Sequence, residues 1–231
     1  MDGSTALRLA GRDALDLLHR ISTNALLDLP PGSARGTLFC DFRGRLLQRA
    51  VVARTADGAV WLLRGDAPAA PLADLLERNL FREDVRVEDR SGEAPLALAR
   101  DAAPGIAACG EERGVPVRVA TADGVVLVRG APVPDAAAAY VARGLPRHGH
   151  EIVEAFTPFE VNLAHEVHLA KGCYPGQEAL QRLVPYASVR RRLARVRLAG
   201  PPPATPAEVR AAGARAGTLT SAAADGDGTI A

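Results

Sequence analysis

A chain of 231 residues can bury roughly 70% of its unfolded surface, so it folds without disulfide or metal staples. With 48% hydrophobic and 24% charged residues and a formal net charge of +1, it has no bulk field to draw nucleic acid or membrane, and any partner must be read from local patches. No run of about 18 apolar residues occurs, and Met1-Asp2-Gly3-Ser4 leads into no basic-then-apolar segment, which predicts a cytoplasmic protein with neither a membrane helix nor a signal peptide.

Ala14, Leu17, Leu18 and Ile21 recur at helical spacing, predicting an opening helix over 13–21 capped by Asp13 with Asp16 in its first turn. Ser22-Thr23-Asn24 ends it. After Pro30-Pro31-Gly32, residues 36–47 read as two strands joined by a tight Asp41-Phe42-Arg43-Gly44 turn. The apolar runs 46–54 and 59–64 flank Asp57-Gly58, a strong hairpin signal. Pro71 opens a helix with Leu72, Leu75, Leu76 and Leu80 on one face, followed by a strand over 85–88. A similar element order recurs: runs at 96–99 and 117–120, a hairpin across Asp123-Gly124 into 125–128, and a helix over 135–141 capped by Asp135.

Thr157-Pro158-Phe159-Glu160 is a capping box with proline at the first helical position, predicting a helix from Pro158 toward Glu166. A second short helix leaves Gly176 and stops near Val184-Pro185. Residues 193–198 alternate like a strand, and Pro201-Pro202-Pro203 is a connector. Thr218 to Thr220 starts a hairpin whose return strand is cut short at Ala231, so the last lobe is expected to be small or incomplete.

Three cysteines, Cys40, Cys109 and Cys173, are odd in number and far apart, which fits reduced thiols and no CxxC metal pair. Cys173 lies in Lys171-Gly172-Cys173-Tyr174-Pro175-Gly176-Gln177-Glu178, at the entrance of the predicted helix. Unsatisfied amides there and the nearby Lys171 favour a thiolate, so Cys173 is a candidate functional thiol, with a buried structural thiol as the alternative. His165 and His168 are three apart, the wrong spacing for HExxH, and are read as surface histidines, with a metal site as the lesser alternative. His148 and His150 flank Gly149 in a loop and are expected to be solvated. Arg190-Arg191-Arg192 with Arg195 and Arg197 is the dense basic patch: a solvated face, or a binder of phosphate, carboxylate or RNA, though no aromatic residues interleave it for base stacking.

The Lys171–Glu178 stretch resembles the K-G-C-[YF]-x-G-Q-E signature of the YgfZ family of folate-binding proteins, relatives of the glycine-cleavage T-protein aminomethyltransferase. Lys171, Gly172, Cys173, Tyr174, Gly176, Gln177 and Glu178 all match. Arg182 and Arg191-Arg192-Leu193 resemble the basic stretch after the signature, and Phe156 to Leu163 resembles the family's F-x-P-x-x-x-N-L lead-in. Residues 11–24, Asp41 to Arg45 and Gly217 to Ser221 resemble its opening helix, its D-x-x-G-[KR] turn and its G-x-[LV]-T-S barrel strand.

The resemblance implies an α+β, aminomethyltransferase-like fold with antiparallel sheets and helices in two lobes over 1–190, the second at about 46–139, and a partial C-terminal β-barrel over 191–231. It implies a monomeric tetrahydrofolate-binding protein without a DNA or membrane partner, serving assembly or repair of iron–sulfur client enzymes, including one that thiolates tRNA. Cys173 would be the functional thiol with Lys171 polarising it. Gln177 and Glu178 would orient the turn or meet the ligand, and Arg182 and Arg191 would meet the folate's anionic tail. A folate-dependent one-carbon transferase is the enzyme alternative, and an RNA- or client-docking module built on 190–197 is another. Tyr186-Ala187 stands where the family has R-G, and residues 140–146 lack the aspartate an aminomethyl transfer needs to hold the folate amine.

Overall fold

The computed structural model describes residues 3–93, 96–98, 108–122, 125–130, 136–184, 189–225 and 228–231. Five strands, β1 (Thr5–Ala10), β2 (Ser33–Cys40), β3 (Leu46–Arg54), β4 (Val60–Arg64) and β5 (Arg86–Asp89), form an antiparallel sheet in the order β2-β3-β4-β1-β5. The central strands β3 and β4 are rich in apolar residues, because both of their faces are covered. Leu7, Leu9, Val52 and Leu62 meet helices α1 (Ala14–Ile21) and α2 (Ala70–Glu77), through Leu17, Leu18, Leu72 and Leu76. Their neighbours in the period-two alternation, Ala6, Val51, Ala53, Trp61 and Leu63, turn the other way and pack against a second sheet.

That second antiparallel sheet contains β6 (Leu96–Leu98), β7 (Ala108–Glu112), β8 (Val115–Ala120) and β9 (Val126–Arg129) in the order β6-β9-β8-β7. Tyr140 of helix α3 (Ala136–Arg143) joins Leu98, Val119, Val125 and Leu127 in the shared core. A third core gathers Leu38, Cys40 and Leu46 at the β2–β3 end under Ile152, Val161, Leu163, Tyr174 and Leu180, the last from helix α4 (Gln177–Leu183). The C-terminal segment makes two open sheets: β10 (Arg197–Ala199) with β14 (Gly228–Ile230) and β13 (Ala223–Asp225), and a hairpin of β11 (Ala207–Ala211) and β12 (Ala214–Leu219). The architecture is α+β with antiparallel sheets and few helices. The expected lobe division near residue 46 falls at the start of β3, inside the five-stranded sheet.

The hairpin over 46–64, helices α1, α2 and α4 and the Asp41–Gly44 turn form as the sequence predicts. Several expectations need correction. The fold opens on β1, not on a helix, and Asp13 does not cap α1: its Oδ2 accepts from the Asp84 N–H at 2.8 Å. The Thr157 capping box forms its reciprocal bond, Thr157 N–H to Glu160 Oε2 at 2.8 Å, without a helix behind it. Asn162 takes φ +61 two residues on, and only the 3-10 turn Ala164–Glu166 follows. The strand expected over 193–198 shrinks to β10, because Leu193 N–H bonds instead to the Glu160 carbonyl at 2.7 Å. Thr218 belongs to the return strand of the β11–β12 hairpin and does not begin a new one. Asp123-Gly124, Asp135 and Tyr186-Ala187 lie outside the described residues.

Candidate functional site

A cavity of about 640 Å³ opens between the loop after α1, the start of β2, Thr121-Ala122 beyond β8, and the turn at Ala164–Glu166. Asn24, Arg35, Gly36, His165 and Glu166 are among its walls. Glu166 is 1% exposed, and Arg49 of β3 grips its carboxylate with Nε at 3.0 and 3.1 Å and Nη2 at 2.5 Å. Gly36 lets the carboxylate lie this close to β2, since a Cβ there would sit 2.3 Å from Glu166 Oε1. A glycine in mid-strand commonly marks such a close approach.

The loop after α1 is built from short side-chain-to-backbone bonds. Thr23 Oγ1 donates to the Glu166 carbonyl at 2.7 Å, and the Thr23 carbonyl accepts from His168 N–H at 2.9 Å. Asn24 N–H reaches Thr37 Oγ1 at 3.1 Å and its side-chain amide donates to the Gly36 carbonyl at 2.8 Å. Arg35 donates to the Ala25 carbonyl and, at 2.7 Å, to Asp28, whose carboxyl is held below its usual range by that bond. The cavity wall and the segment leading into the cysteine motif are therefore one hydrogen-bonded body.

Within the motif, Gly172 and Gly176 take φ +112 and +82. Only glycine fits at 176, where a Cβ would lie 2.5 Å from the Asp41 carbonyl oxygen and 2.9 Å from Gly44 Cα. This approach seats the start of α4 on the β2–β3 turn. Tyr174 is buried in the third core, and burial raises its pKa to about 12. Gln177 orients the turn by donating to the Leu169 carbonyl at 2.8 Å. Lys171, the single lysine of the chain, donates its ammonium to the His19 carbonyl and lies 4.8 Å from the Tyr174 ring centroid, and burial lowers its pKa to about 8. Cys173 is exposed, whereas Cys40 and Cys109 are buried, with pKa values pushed up by burial to about 12 and about 11.

The expected arginines are divided. Arg182 is solvent-facing and pairs loosely with the exposed Glu178 at 3.9 Å, worth little in water. Arg191 is committed to the protein: it bonds Glu160 at 2.8 Å and the Ala155 carbonyl at 3.0 Å, with its guanidinium over Phe156. Arg190, Arg192, Arg195 and Arg197 are exposed. Among the described residues no group of three or more His, Cys, Asp or Glu could hold a metal, and no helix is long and apolar enough to cross a membrane.

Sequence reasoning missed the polar network beneath the cavity and misjudged two histidines. His148 is nearly buried, its Nδ1 2.9 Å from Asp66 Oδ2 while its Nε2 accepts from Arg49 N–H at 3.2 Å. That acceptor role puts the ring proton on Nδ1, facing the carboxylate. Burial alone would push the Asp66 carboxyl up, but its bonds from His148 hold it below the usual range. His150 is tied to the Thr220 carbonyl at 2.8 Å. These rings are not solvated because the 147–151 segment is the joint between the first sheet and the C-terminal lobe, where Glu151 also accepts from Ser221 at 2.8 Å. The available signal was a charged residue, Arg49, beside the apolar run 50–53, with a mid-strand glycine opposite.

These elements define the class of fold. It is that of the aminomethyltransferases: the structure of glycine cleavage system aminomethyltransferase T from Bartonella henselae superposes over 99% of this chain and 75% of its own, with a TM-score of 0.65 at 17% identity. Residues 1–100 match the GCVT N-terminal domain and residues 190–228 the CAF17 C-terminal beta-barrel domain. At its two ends, then, the chain is similar to proteins that carry these two domains. A chloroplastic protein of Arabidopsis thaliana whose name proposes a transferase is 34% identical over 61 residues, 26% of this chain and 14% of that protein. The matched stretch is thus a small part of that relative's length.

Proposed function

We propose that the protein binds tetrahydrofolate in the Asn24–Glu166 cavity and serves the assembly or repair of iron–sulfur enzymes, with Cys173 as its functional thiol. The observation that carries this reading is the cavity itself: at about 640 Å³ it lies within the range of small-molecule sites, and its wall is hydrogen-bonded directly to the segment bearing Cys173. The residues present suit a folate. Leu29 and Pro30 supply apolar surface, Arg35 a cation balanced by Asp28, and Glu166 a carboxylate held at the wall by Arg49. The bound folate would supply a one-carbon unit or its carrier. The protein's share is to orient it, exclude water from the Glu166 side, and present the exposed sulfur of Cys173 to a folate-borne carbon or to a client's thiol.

Lys171 lies on the same turn, two residues before the thiol, and in this reading it is the residue that polarises it. Arg182, exposed beside Glu178, is the better of the two expected arginines for an anionic tail, since Arg191 is already engaged. The transferase name of the Arabidopsis relative favours a second reading, folate-dependent one-carbon transfer. Calorimetric titration with tetrahydrofolate tests the ligand. Saturable binding that Glu166→Ala weakens at least tenfold is expected, and no saturable binding to the wild-type protein would end the folate reading. Cys173→Ala should keep that binding while failing to complement an iron–sulfur enzyme defect. Full complementation would return Cys173 to a structural role.

A further inference from the structure

The segment from His168 to Cys173 has no regular structure, and His168, Ala170, Gly172 and Cys173 are exposed. Such a stretch opens readily unless something holds it. Its N-terminal end is fixed by the Leu169 carbonyl, which accepts from Gln177 and Gln181 at 2.8 and 3.1 Å, and its C-terminal end by buried Tyr174. Between these points lies a reciprocal pair of bonds to one residue. Lys171 Nζ donates to the His19 carbonyl, and His19 Nε2 lies 3.1 Å from the Lys171 carbonyl. His19 Nδ1 accepts from Leu26 N–H at 3.1 Å, so the ring proton is on Nε2 and points at Lys171. His19 thus joins three segments: the last turn of α1, the chain entering the cavity wall at Leu26, and the motif. The same wall reaches the motif segment a second way, through Thr23 and the backbone of Glu166 and His168.

We propose that His19 is the positioning residue for Cys173: its reciprocal bonds with Lys171 clasp the motif turn to the cavity wall, so that a ligand in the cavity and the setting of the thiol are coupled. The inference rests on the reading of Cys173 as the functional thiol. On this view the lysine of the motif anchors the turn through its ammonium.

The two ring nitrogens can be replaced separately. In His19→Gln the side-chain amide reaches the position of Nε2 and keeps the donor to Lys171. In His19→Asn the side-chain oxygen replaces Nδ1 and keeps the acceptor for Leu26, but the side chain stops short of Lys171. Lys171→Met removes the other half of the clasp and keeps an apolar stem on Tyr174. Two measurements are made on each: amide hydrogen exchange over residues 169–174 without ligand, and alkylation of Cys173 by iodoacetamide with and without tetrahydrofolate.

His19→Asn and Lys171→Met should exchange about tenfold faster over 169–174, the effect of losing one hydrogen bond against local opening, and His19→Gln should match the wild type. Tetrahydrofolate should change the alkylation rate of Cys173 in the wild type, and not in His19→Asn, which loses the bond to Lys171, or in His19→Gln, which loses the bond to Leu26. Unchanged exchange in both His19→Asn and Lys171→Met overturns the clasp. An equal folate effect on Cys173 in wild type and His19→Asn, or none in a wild type that binds folate, overturns the coupling. A wild type that binds no folate defeats the ligand assignment instead, and the ligand-free exchange then decides the clasp alone.

Discussion

Replacing Arg49 with Met would leave the Glu166 carboxylate buried without the guanidinium that grips it. The pair is 9% and 1% exposed at the side chain and makes three charge-assisted hydrogen bonds. Removing one partner of such a pair costs about 3–5 kcal/mol, most of it the desolvation of the charge left behind. Against a typical domain stability of about 5–15 kcal/mol, that is a large fraction of the whole. The assay is urea unfolding followed by tryptophan fluorescence, because the chain has one Trp, Trp61, which is 2% exposed and packed between the two sheets. Arg49→Met should lower the unfolding midpoint by the equivalent of at least about 3 kcal/mol. Arg49→Met with Glu166→Met should recover most of that loss, since two apolar groups of similar volume replace the buried charges. The double variant should remain deficient in folate binding, which separates the pair's role in stability from that of the carboxylate at the cavity wall. A single variant within about 1 kcal/mol of wild type, or a double variant no more stable than the single, would refute the reasoning.

Gly36→Ala should cost about 1–3 kcal/mol in the same assay, because its Cβ would meet the Glu166 carboxylate at 2.3 Å and Arg49 prevents that carboxylate from swinging aside; an unchanged midpoint would mean the carboxylate is free to move. Reductive methylation with labelled formaldehyde should label the chain's N-terminal amine and its single lysine, and the NMR signal that Lys171→Met removes should titrate with a midpoint near 8; a midpoint above 10 for that signal contradicts the burial of Lys171. The folded chain releases that proton near 8 while the unfolded chain keeps it to about 10.4, so between those values Lys171 contributes stability that rises with pH and is lost as pH falls through 8. Comparing urea midpoints of wild type and Lys171→Met across that range isolates the slope. Iodoacetamide at neutral pH should modify one thiol of three quickly, Cys173, because Cys40 and Cys109 are buried and held protonated; mass spectrometry locating the first label on either buried thiol would contradict this.

What could be read from the chain alone was what short-range chemistry decides. Asp57-Gly58 sets the β3–β4 hairpin, Asp41 to Gly44 turns β2 into β3, and Gly176 starts α4 in a conformation that glycine adopts freely. The cysteine motif, too, was visible as a turn feeding a helix. The capping box at Thr157 misled because its local bond is real, while the helix it should start loses to distant partners: Arg45 and Arg191 both converge on Glu160, and the Leu193 amide takes its carbonyl. The cavity was invisible for the same reason. Arg49 and Glu166 are 117 residues apart, His148 and Asp66 are 82, and no periodicity records such pairings.

The position of β1 has a consequence for how the chain comes off the ribosome. Its residues are made before those of the four strands with which it shares a sheet, yet β1 lies inside that sheet, with β4 on one edge and β5 on the other. One edge of residues 5–10 has no ladder partner until Arg64 has emerged, and the other waits for Asp89. The β2–β3–β4 meander can pair from local turns in the meantime, so the nascent chain holds a ready edge at β4 that the first strand must return to fill. Until it does, both that edge and the apolar side chains of Leu7 and Leu9 are open to other chains, the combination of unpaired strand and bare apolar surface that favours aggregation.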